Sequence, residues 1–142
     1  MTIIAWDGHC MAADKMAENG LMSPVTKIRR IGDMLVGGAG SISACADMFH
    51  WFEAGCDPDK WPPLQRSNSA YVLVVKGTPA VVMVYESSPY PTVIERRFHA
   101  IGSGRDFAMA AMHLGRTAKE AVELASVMAV NCGLGVDLLY PQ

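Results

Sequence analysis

Thr2 is the residue whose type and position most directly suggest chemistry, because it follows the initiator methionine. Methionine removal normally proceeds when the second residue is small, and it would leave Thr2 with a free α-amine beside its hydroxyl. An α-amine has an ordinary pKa of about 7.7–8.0, so a useful fraction is neutral near pH 7.5. That amine can accept the proton of its own hydroxyl, directly or through one water, and no histidine is then required. Because Met-Thr starts are common, the pattern needs support from other residues.

Two charged residues in apolar surroundings supply part of that support. Asp14 ends an otherwise apolar stretch, and Lys27 lies within an alternating segment, Val25 to Ile31. A lysine beside the Thr2 amine would lower the pKa of that amine by like-charge repulsion, and Asp14 would hold the lysine charged and oriented. The alternatives are a turn residue for Asp14 and a solvent-facing strand position for Lys27.

A glycine-rich segment, Gly37-Gly38-Ala39-Gly40, precedes a predicted helix. Such a turn lets backbone N–H groups point at an anion, so the Gly40 N–H would serve as an oxyanion hole. A tight strand-to-helix connection is the alternative. The spacing matches neither a dinucleotide-binding fingerprint nor a phosphate-binding loop.

Hydrophobic periodicity and turn residues predict the elements that would position these groups. Residues 15–24 and 56–69 are predicted to be loops. The predicted strands are 2–6, 9–13, 25–31, 34–38, 71–76, 80–86, 92–99 and 136–140, and the predicted helices follow Ser41 as far as Gly55 and cover 104–114 and 117–130. Helices that alternate with groups of antiparallel strands favour a layered α+β domain spanning residues 1–142.

Composition excludes several classes of function. The chain has 142 residues, 51% of them hydrophobic, and a net charge of −2, which does not suit a nucleic-acid-binding protein. Its four cysteines form no CxxC pair and its four histidines are scattered, so we expect no metal site and no cofactor. No apolar run reaches the length of a membrane span, and no signal peptide is evident, so we expect a cytoplasmic protein.

Five segments in order resemble the proteasome β-subunit superfamily of N-terminal-nucleophile (Ntn) hydrolases, and within it the bacterial HslV-type threonine peptidases. They are TIIAWDG, MAAD, VTKIRRI, LVGGAGSISA and AIGSGRDFAMAA. The resemblance covers most of the chain. It implies a four-layer αββα sandwich, with two antiparallel sheets between helical layers.

The resemblance also implies roles for individual residues. Thr2 would be the nucleophile, Asp14 and Lys27 the activating pair, Gly40 the oxyanion donor, and Ser103 a proton-transfer residue near the amine. Ser103 could also cap a helix in a capping box with Asp106, and the two roles are compatible. The pocket for the substrate side chain would be lined by Ala17, Glu18, Val25, Gly38 and Ile42. Gly38 would leave the pocket floor open to bulky apolar side chains.

Two departures from the family pattern stand out. Between Gly40 and Tyr71 the chain is short, so the second helix of the family is predicted to be shortened or missing. Near the end of the last helix Asn131 takes the place of an aspartate, and no serine follows it. Asn131 cannot supply a charge to the active-site network.

The leading interpretation is therefore a self-compartmentalising threonine endopeptidase. The resemblance implies a homo-oligomeric ring, stacked into a double ring and fed by an ATP-dependent unfoldase. One alternative is a catalytically inactive proteasome-like ring with an assembly or binding role, since a retained Met1 would turn the Thr2 amine into an amide. Another is an amidase of the same fold that acts on a small amide.

Overall fold

The computed structural model describes residues 2–18, 21–63, 70–129 and 132–142. Within them the chain forms eleven strands, three α-helices and one short 3-10 helix. The strands are β1 (Ile4–Trp6), β2 (Met11–Asp14), β3 (Met16–Glu18), β4 (Met22–Pro24), β5 (Ile28–Ile31), β6 (Met34–Gly40), β7 (Ala70–Lys76), β8 (Val81–Tyr85), β9 (Thr92–Val93), β10 (His99–Ile101) and β11 (Val136–Leu139). The helices are α1 (Ile42–Glu53), α2 (Arg105–His113) and α3 (Ala118–Met128), and the 3-10 helix is Pro58–Lys60.

Two antiparallel sheets form the centre of the molecule. The first has the order β10-β1-β2-β11, and the second has the order β5-β6-β7-β8-β9. Strands β3 and β4 pair only with each other, as a separate hairpin. The tight Asp7-Gly8 turn joins β1 to β2, and the Asp7 carboxylate accepts hydrogen bonds from the backbone N–H groups of His9 and Cys10. This turn sets the register that places Asp14 beside the start of the chain.

Three apolar clusters show how the layers stack. Between the sheets, Ile4 and Met11 of the four-stranded sheet pack with Leu35 and Leu73 of the five-stranded sheet. On the outer face of the five-stranded sheet, α1 buries its apolar side chains; on the outer face of the other sheet, α2 and α3 do the same. The order is helix, sheet, sheet, helix, which confirms the predicted αββα sandwich.

Helix α1 shows why the sequence folds locally as it does. The Ser41 hydroxyl accepts a hydrogen bond from the Ala44 N–H and caps the first turn. Met48 and Phe52, one helical turn apart, are buried against the sheet. In residues 54–63, the described part of the connection to β7, no α-helix is present. This agrees with the predicted loss or shortening of the second helix.

Outside the glycine-rich segment 37–40, two predictions of secondary structure are wrong. Residues 15–24, predicted to be a loop, contain the β3–β4 hairpin, whose strands are only three residues long and too short to show an alternating pattern. The predicted strand 92–99 is two strands, because β9 pairs with β8 in one sheet and β10 pairs with β1 in the other. The chain therefore changes sheets within residues 94–98.

None of the helices in the described segments combines the length and apolar character needed to cross a bilayer.

Candidate functional site

Thr2 lies just before β1 and is only 7% exposed. Its backbone nitrogen donates to the Ser103 Oγ at 3.3 Å, although the two residues are 101 positions apart in the chain. Its carbonyl oxygen accepts from the Gly104 N–H at 3.4 Å. The start of the chain is therefore held by the segment that leads into α2.

Gly102 allows the Gly-Ser-Gly segment before α2 to pack closely against Thr2. A Cβ at this position would lie 2.0 Å from the Thr2 carbonyl oxygen, and the residue has a φ of +100°. Both the contact and the backbone conformation require glycine. The Gly-Ser-Gly segment can thus bring the Ser103 hydroxyl to the Thr2 nitrogen.

Ser103 does not cap α2. The N-cap position belongs to Gly104, and no side chain makes a capping hydrogen bond there. The capping role predicted for Ser103 with Asp106 is therefore wrong. The helix begins one residue later than that box requires, and the Ser103 hydroxyl contacts the Thr2 nitrogen instead.

Asp14, the last residue of β2, is completely buried and accepts four hydrogen bonds. Its Oδ1 accepts from the Ile3 N–H at 3.0 Å and from the Lys27 Nζ at 2.9 Å. Its Oδ2 accepts from the N–H groups of Met16 at 3.3 Å and Gly133 at 3.2 Å. Asp14 therefore connects the residue after Thr2 to three other parts of the chain.

Lys27 lies immediately before β5 and is 7% exposed. The strand predicted to start at Val25 begins only at Ile28, but the Lys27 carbonyl still accepts from the Gly38 N–H at 3.1 Å. Burying an ammonium and a carboxylate is costly, and good geometry with further hydrogen bonds to Asp14 offsets that cost. A fixed positive charge is thus maintained in a largely water-excluded position.

Gly40 is the last residue of β6, with a φ of +122°. The segment 37–40, predicted to be a turn, continues the strand up to this residue and pairs with β7. Helix α1 begins only two residues later. The glycine conformation therefore separates the end of a strand from the start of a helix, at the edge of the pocket that contains Thr2.

A pocket of about 580 Å³, here called the Gly38 pocket, is lined by most of the predicted site residues, whereas Asp14 and Ser103 do not line it. Thr2, Lys27 and Gly40 line it. So do all five residues predicted to bind the substrate side chain, namely Ala17, Glu18, Val25, Gly38 and Ile42. Its volume is typical of small-molecule or side-chain binding sites.

Cys45 also lines the Gly38 pocket, although the sequence did not predict a site role for it. A Cβ on Gly38 would lie 3.0 Å from the Cys45 Sγ and 3.7 Å from the Phe49 Cζ. These two side chains therefore occupy the space beside Gly38 and limit the floor of the pocket. Burial raises the pKa of the Cys45 thiol to about 11, against an opposing effect of the Lys27 charge, so the thiol is neutral at pH 7. Its position one helical turn after Ile42, a predicted pocket residue, could have indicated that it lines the same pocket.

Cys132 is a second residue that the sequence reasoning missed. Its Sγ lies 3.9 Å from the Ser103 Oγ, and the residue is 4% exposed. Burial, and then the Asp14 charge, raise the pKa of this thiol, which keeps it protonated near neutral pH. Asn131, the predicted counterpart of the family aspartate, lies outside the described residues. The residue that follows Asn131 is therefore a cysteine rather than a serine, and its thiol lies next to the Ser103 hydroxyl.

A second pocket, here called the Tyr71 pocket, has a volume of about 650 Å³ and shares Thr2 and Gly40 with the first. Tyr71, Val84, His99 and Ile101 are among its lining residues.

Comparisons with known proteins identify the fold. No protein-family model matches the chain, and no curated protein matches its sequence. Solved structures do match. BPH of Thiobacillus denitrificans in complex with epoxomicin has a TM-score of 0.74 and 19% identity over 100% of both chains. Eukaryotic HslV from Trypanosoma brucei has a TM-score of 0.74 and 20% identity over 97% of both chains. The fold is that of the HslV-type, proteasome-like proteins.

A further BPH structure from Thiobacillus denitrificans agrees, with a TM-score of 0.72 and 19% identity over 99% of this chain and 98% of that one. The HslV-like fold thus extends over the whole chain and confirms the resemblance found in the sequence at the level of architecture. Because identity is about one residue in five, the comparisons carry the fold, and the chemistry of the site must be argued from this chain's own residues.

Proposed function

We propose that this chain is a threonine-type peptidase of the Ntn-hydrolase kind, with Thr2 as its nucleophile once Met1 has been removed. One observation carries the proposal. Thr2, Lys27 and Gly40 line one pocket, Asp14 forms a buried ion pair with Lys27, and the Ser103 hydroxyl accepts from the Thr2 nitrogen.

The reaction would proceed through an ester on Thr2. The free α-amine accepts the hydroxyl proton while Oγ attacks the carbonyl carbon of the scissile peptide bond. The Gly40 N–H stabilises the oxyanion that forms. The C–N bond then breaks, the amine's proton passes to the leaving nitrogen, and water hydrolyses the ester by the same steps.

The neighbouring residues would tune this chemistry. The charge of Lys27 favours the neutral form of the Thr2 amine, which is the form that accepts a proton. Asp14 fixes Lys27 and also holds the Ile3 N–H, so the residue after the nucleophile stays in place. Ser103 accepts from the Thr2 nitrogen and can relay its proton.

The Gly38 pocket would bind the side chain on the acyl side of the scissile bond. Gly38 contributes no side chain of its own, and Cys45 and Phe49 form an apolar floor. Medium to bulky apolar residues therefore suit this pocket better than acidic or very small ones. A panel of peptides that varies only this residue tests the preference, and faster cleavage after acidic residues or glycine would contradict it.

Assembly belongs to the same proposal. An enzyme with this fold would act as a cytoplasmic homo-oligomeric ring, stacked into a double ring that encloses the sites and receives unfolded protein from an ATP-dependent unfoldase. Mass measurement of the native complex gives the number of subunits.

The experiment that tests the catalytic proposal combines mass spectrometry and activity. The mature chain should lack Met1, and a β-lactone, which acylates nucleophilic hydroxyls, should add its mass at Thr2. Thr2→Ala should abolish both acylation and peptide hydrolysis while the oligomer forms normally. Thr92→Ala, which removes an exposed threonine at the start of β9, is the matched control and should remain active.

A second candidate is a proteasome-like ring that binds or assembles without turnover. The observation that favours it is the thiol of Cys132 beside Ser103, since a thiol is a weaker hydrogen-bonding group than a hydroxyl. A permanent Met1 together with a normal oligomer would establish this candidate and exclude the catalytic one.

A further inference from the structure

The two large pockets lie on different sides of strand β6. The Gly38 pocket includes Lys27 and Arg29, on the β5 side of β6. The Tyr71 pocket includes Tyr71 and Val84, on the β7 and β8 side. Thr2 and the end of β6 at Gly40 line both pockets.

The two pockets also differ in the face of β6 that they use. Gly38 faces α1, since a Cβ there would meet Cys45 and Phe49. The next residue, Ala39, belongs to the cluster between the sheets, and it pairs with Tyr71 across the β6–β7 ladder. Successive residues of a strand point to opposite faces. The nucleophile thus stands where two separate cavities meet.

A peptide bond attacked at Thr2 has two halves that must both be accommodated. The acyl half stays on the nucleophile, and the amine half must extend away from it. If the acyl side chain occupies the Gly38 pocket, the Tyr71 pocket is a second large cavity in contact with Thr2 that can take the amine half.

The surface of the Tyr71 pocket is mainly apolar. Val84, Ala100 and Ile101 form buried walls, and the Tyr71 ring is 41% exposed at the mouth. Burial and the Arg96 charge lower the pKa of His99, so its imidazole is neutral at pH 7. Charged groups of both signs are present among the lining residues, in Glu86 and Arg105, so neither sign of ligand charge is favoured.

We propose that the Tyr71 pocket binds the leaving half of the peptide and prefers a large apolar or aromatic residue directly after the scissile bond. This inference rests on the proposed peptidase function. An aromatic residue there would cover the Tyr71 ring and the Val84 side chain and remove apolar surface from water.

Partitioning of the acyl-enzyme tests this pocket separately from acylation. An N-acetyl tripeptide p-nitrophenyl ester acylates Thr2 and releases p-nitrophenol, and an added amino acid amide then competes with water for the ester. The attacking amine forms the new amide bond as the ester C–O bond breaks, and its proton returns to the Thr2 oxygen through the α-amine. The ratio of peptide amide to free acid reports how well the added amine occupies the leaving side.

The proposal predicts that phenylalanine amide and leucine amide capture the acyl-enzyme about tenfold better than glycine amide or aspartate amide. Tyr71→Ala should reduce that preference several-fold. Tyr90→Ala, which removes a tyrosine that is 72% exposed and does not line this pocket, should leave the preference as in the wild type.

The outcomes separate the two proposals. An acyl-enzyme seen by mass, but with equal capture of all four amides by the wild-type protein, overturns the pocket assignment and leaves the peptidase function intact. Equal effects of the Tyr71 and Tyr90 substitutions also overturn it. Failure to form any acyl-enzyme overturns both proposals.

Discussion

The Lys27 Nζ lies 2.9 Å from the Asp14 Oδ1, and the two side chains are 7% and 0% exposed. Asp14 ends a strand of the four-stranded sheet, whereas Lys27 precedes the first strand of the five-stranded sheet. This ion pair therefore joins the two sheets at the end of the sandwich where the chain begins. Both partners also lie near Thr2. Asp14 accepts a hydrogen bond from the Ile3 N–H, and Lys27 lines the same pocket as Thr2.

Removing either partner should have unequal effects on stability. Asp14→Ala deprives three backbone N–H groups and an ammonium of their acceptor, so we expect a loss of about 3–5 kcal/mol. Lys27→Met leaves the carboxylate with donors from Ile3, Met16 and Gly133, so the loss should be smaller. Peptidase activity should disappear in both variants. Urea unfolding and peptide hydrolysis measure the two effects.

Lys15→Met is the control for that comparison. Lys15 pairs with Asp137 at 2.7 Å, but the side chains are 26% and 30% exposed, so the cost should be about 0–1 kcal/mol. An equal loss for Lys27→Met and Asp14→Ala would contradict the assignment of the backbone donors. Retained activity in Lys27→Met would remove Lys27 from the mechanism.

Gly102→Ala should displace Thr2. The added Cβ would lie 2.0 Å from the Thr2 carbonyl oxygen, at a φ of +100°. Gly115→Ala is a matched control, since its φ is +88° and a Cβ there meets nothing within 4 Å. Both substitutions carry a left-handed backbone penalty of about 1–2 kcal/mol. Only Gly102→Ala should lose more stability than this and also lose peptidase activity. Thermal unfolding and peptide hydrolysis measure the two effects. Similar behaviour of the two variants would argue against a tight contact at Thr2.

Cys132 should act on the reaction through Ser103. Its Sγ lies 3.9 Å from the Ser103 Oγ, so Cys132→Ala should lower kcat about fivefold, as expected for losing one hydrogen bond of about 1 kcal/mol. KM should stay the same, and Cys132→Ser should restore kcat. Cys10→Ala, at another buried cysteine, should leave kcat unchanged. If the alanine and serine variants lose activity equally, Cys132 serves only packing.

His99 should make stability depend on pH. Burial and the Arg96 charge lower its pKa in the folded state below the ordinary value of 6.5, so the unfolded chain binds this proton more readily. The contribution of neutral His99 to the free energy of unfolding is fully present above about pH 6.5. It is lost as the pH falls through the folded-state pKa. His99→Gln should therefore weaken the decline in unfolding free energy between pH 7 and pH 5, measured by urea denaturation. A decline in His99→Gln parallel to that of the wild type would disprove the linkage.

Local sequence signals predicted most of the elements. At the start of the helix predicted over 117–130, Thr117 forms a capping box with Glu120, with both reciprocal hydrogen bonds present. Ser41 caps α1, and Gly55, with a φ of +106°, follows its end. These features depend on residues a few positions apart, so short-range patterns contain the necessary information.

Short strands and sheet changes were predicted poorly. The β3–β4 hairpin is too short for periodicity to reveal, and residues 92–99 read as one strand although their two ends belong to different sheets. Which sheet a strand joins depends on partners far away in the chain, and alternation of apolar residues does not encode that choice.

The sequence by itself determined the layered α+β architecture, the chemical types of the candidate site residues and the glycine segments near Thr2. The family resemblance suggested that Asp14, Lys27 and Ser103 lie near Thr2, but the tertiary structure fixed the contacts themselves, Lys27 with Asp14 and Ser103 with the Thr2 nitrogen. The tertiary structure alone revealed that the thiol of Cys132 lies beside Ser103. It also decided that Thr2 stands between two cavities. The reason is physical: local propensity fixes which face of an element is apolar, but the packing of all layers fixes which polar groups meet at their ends.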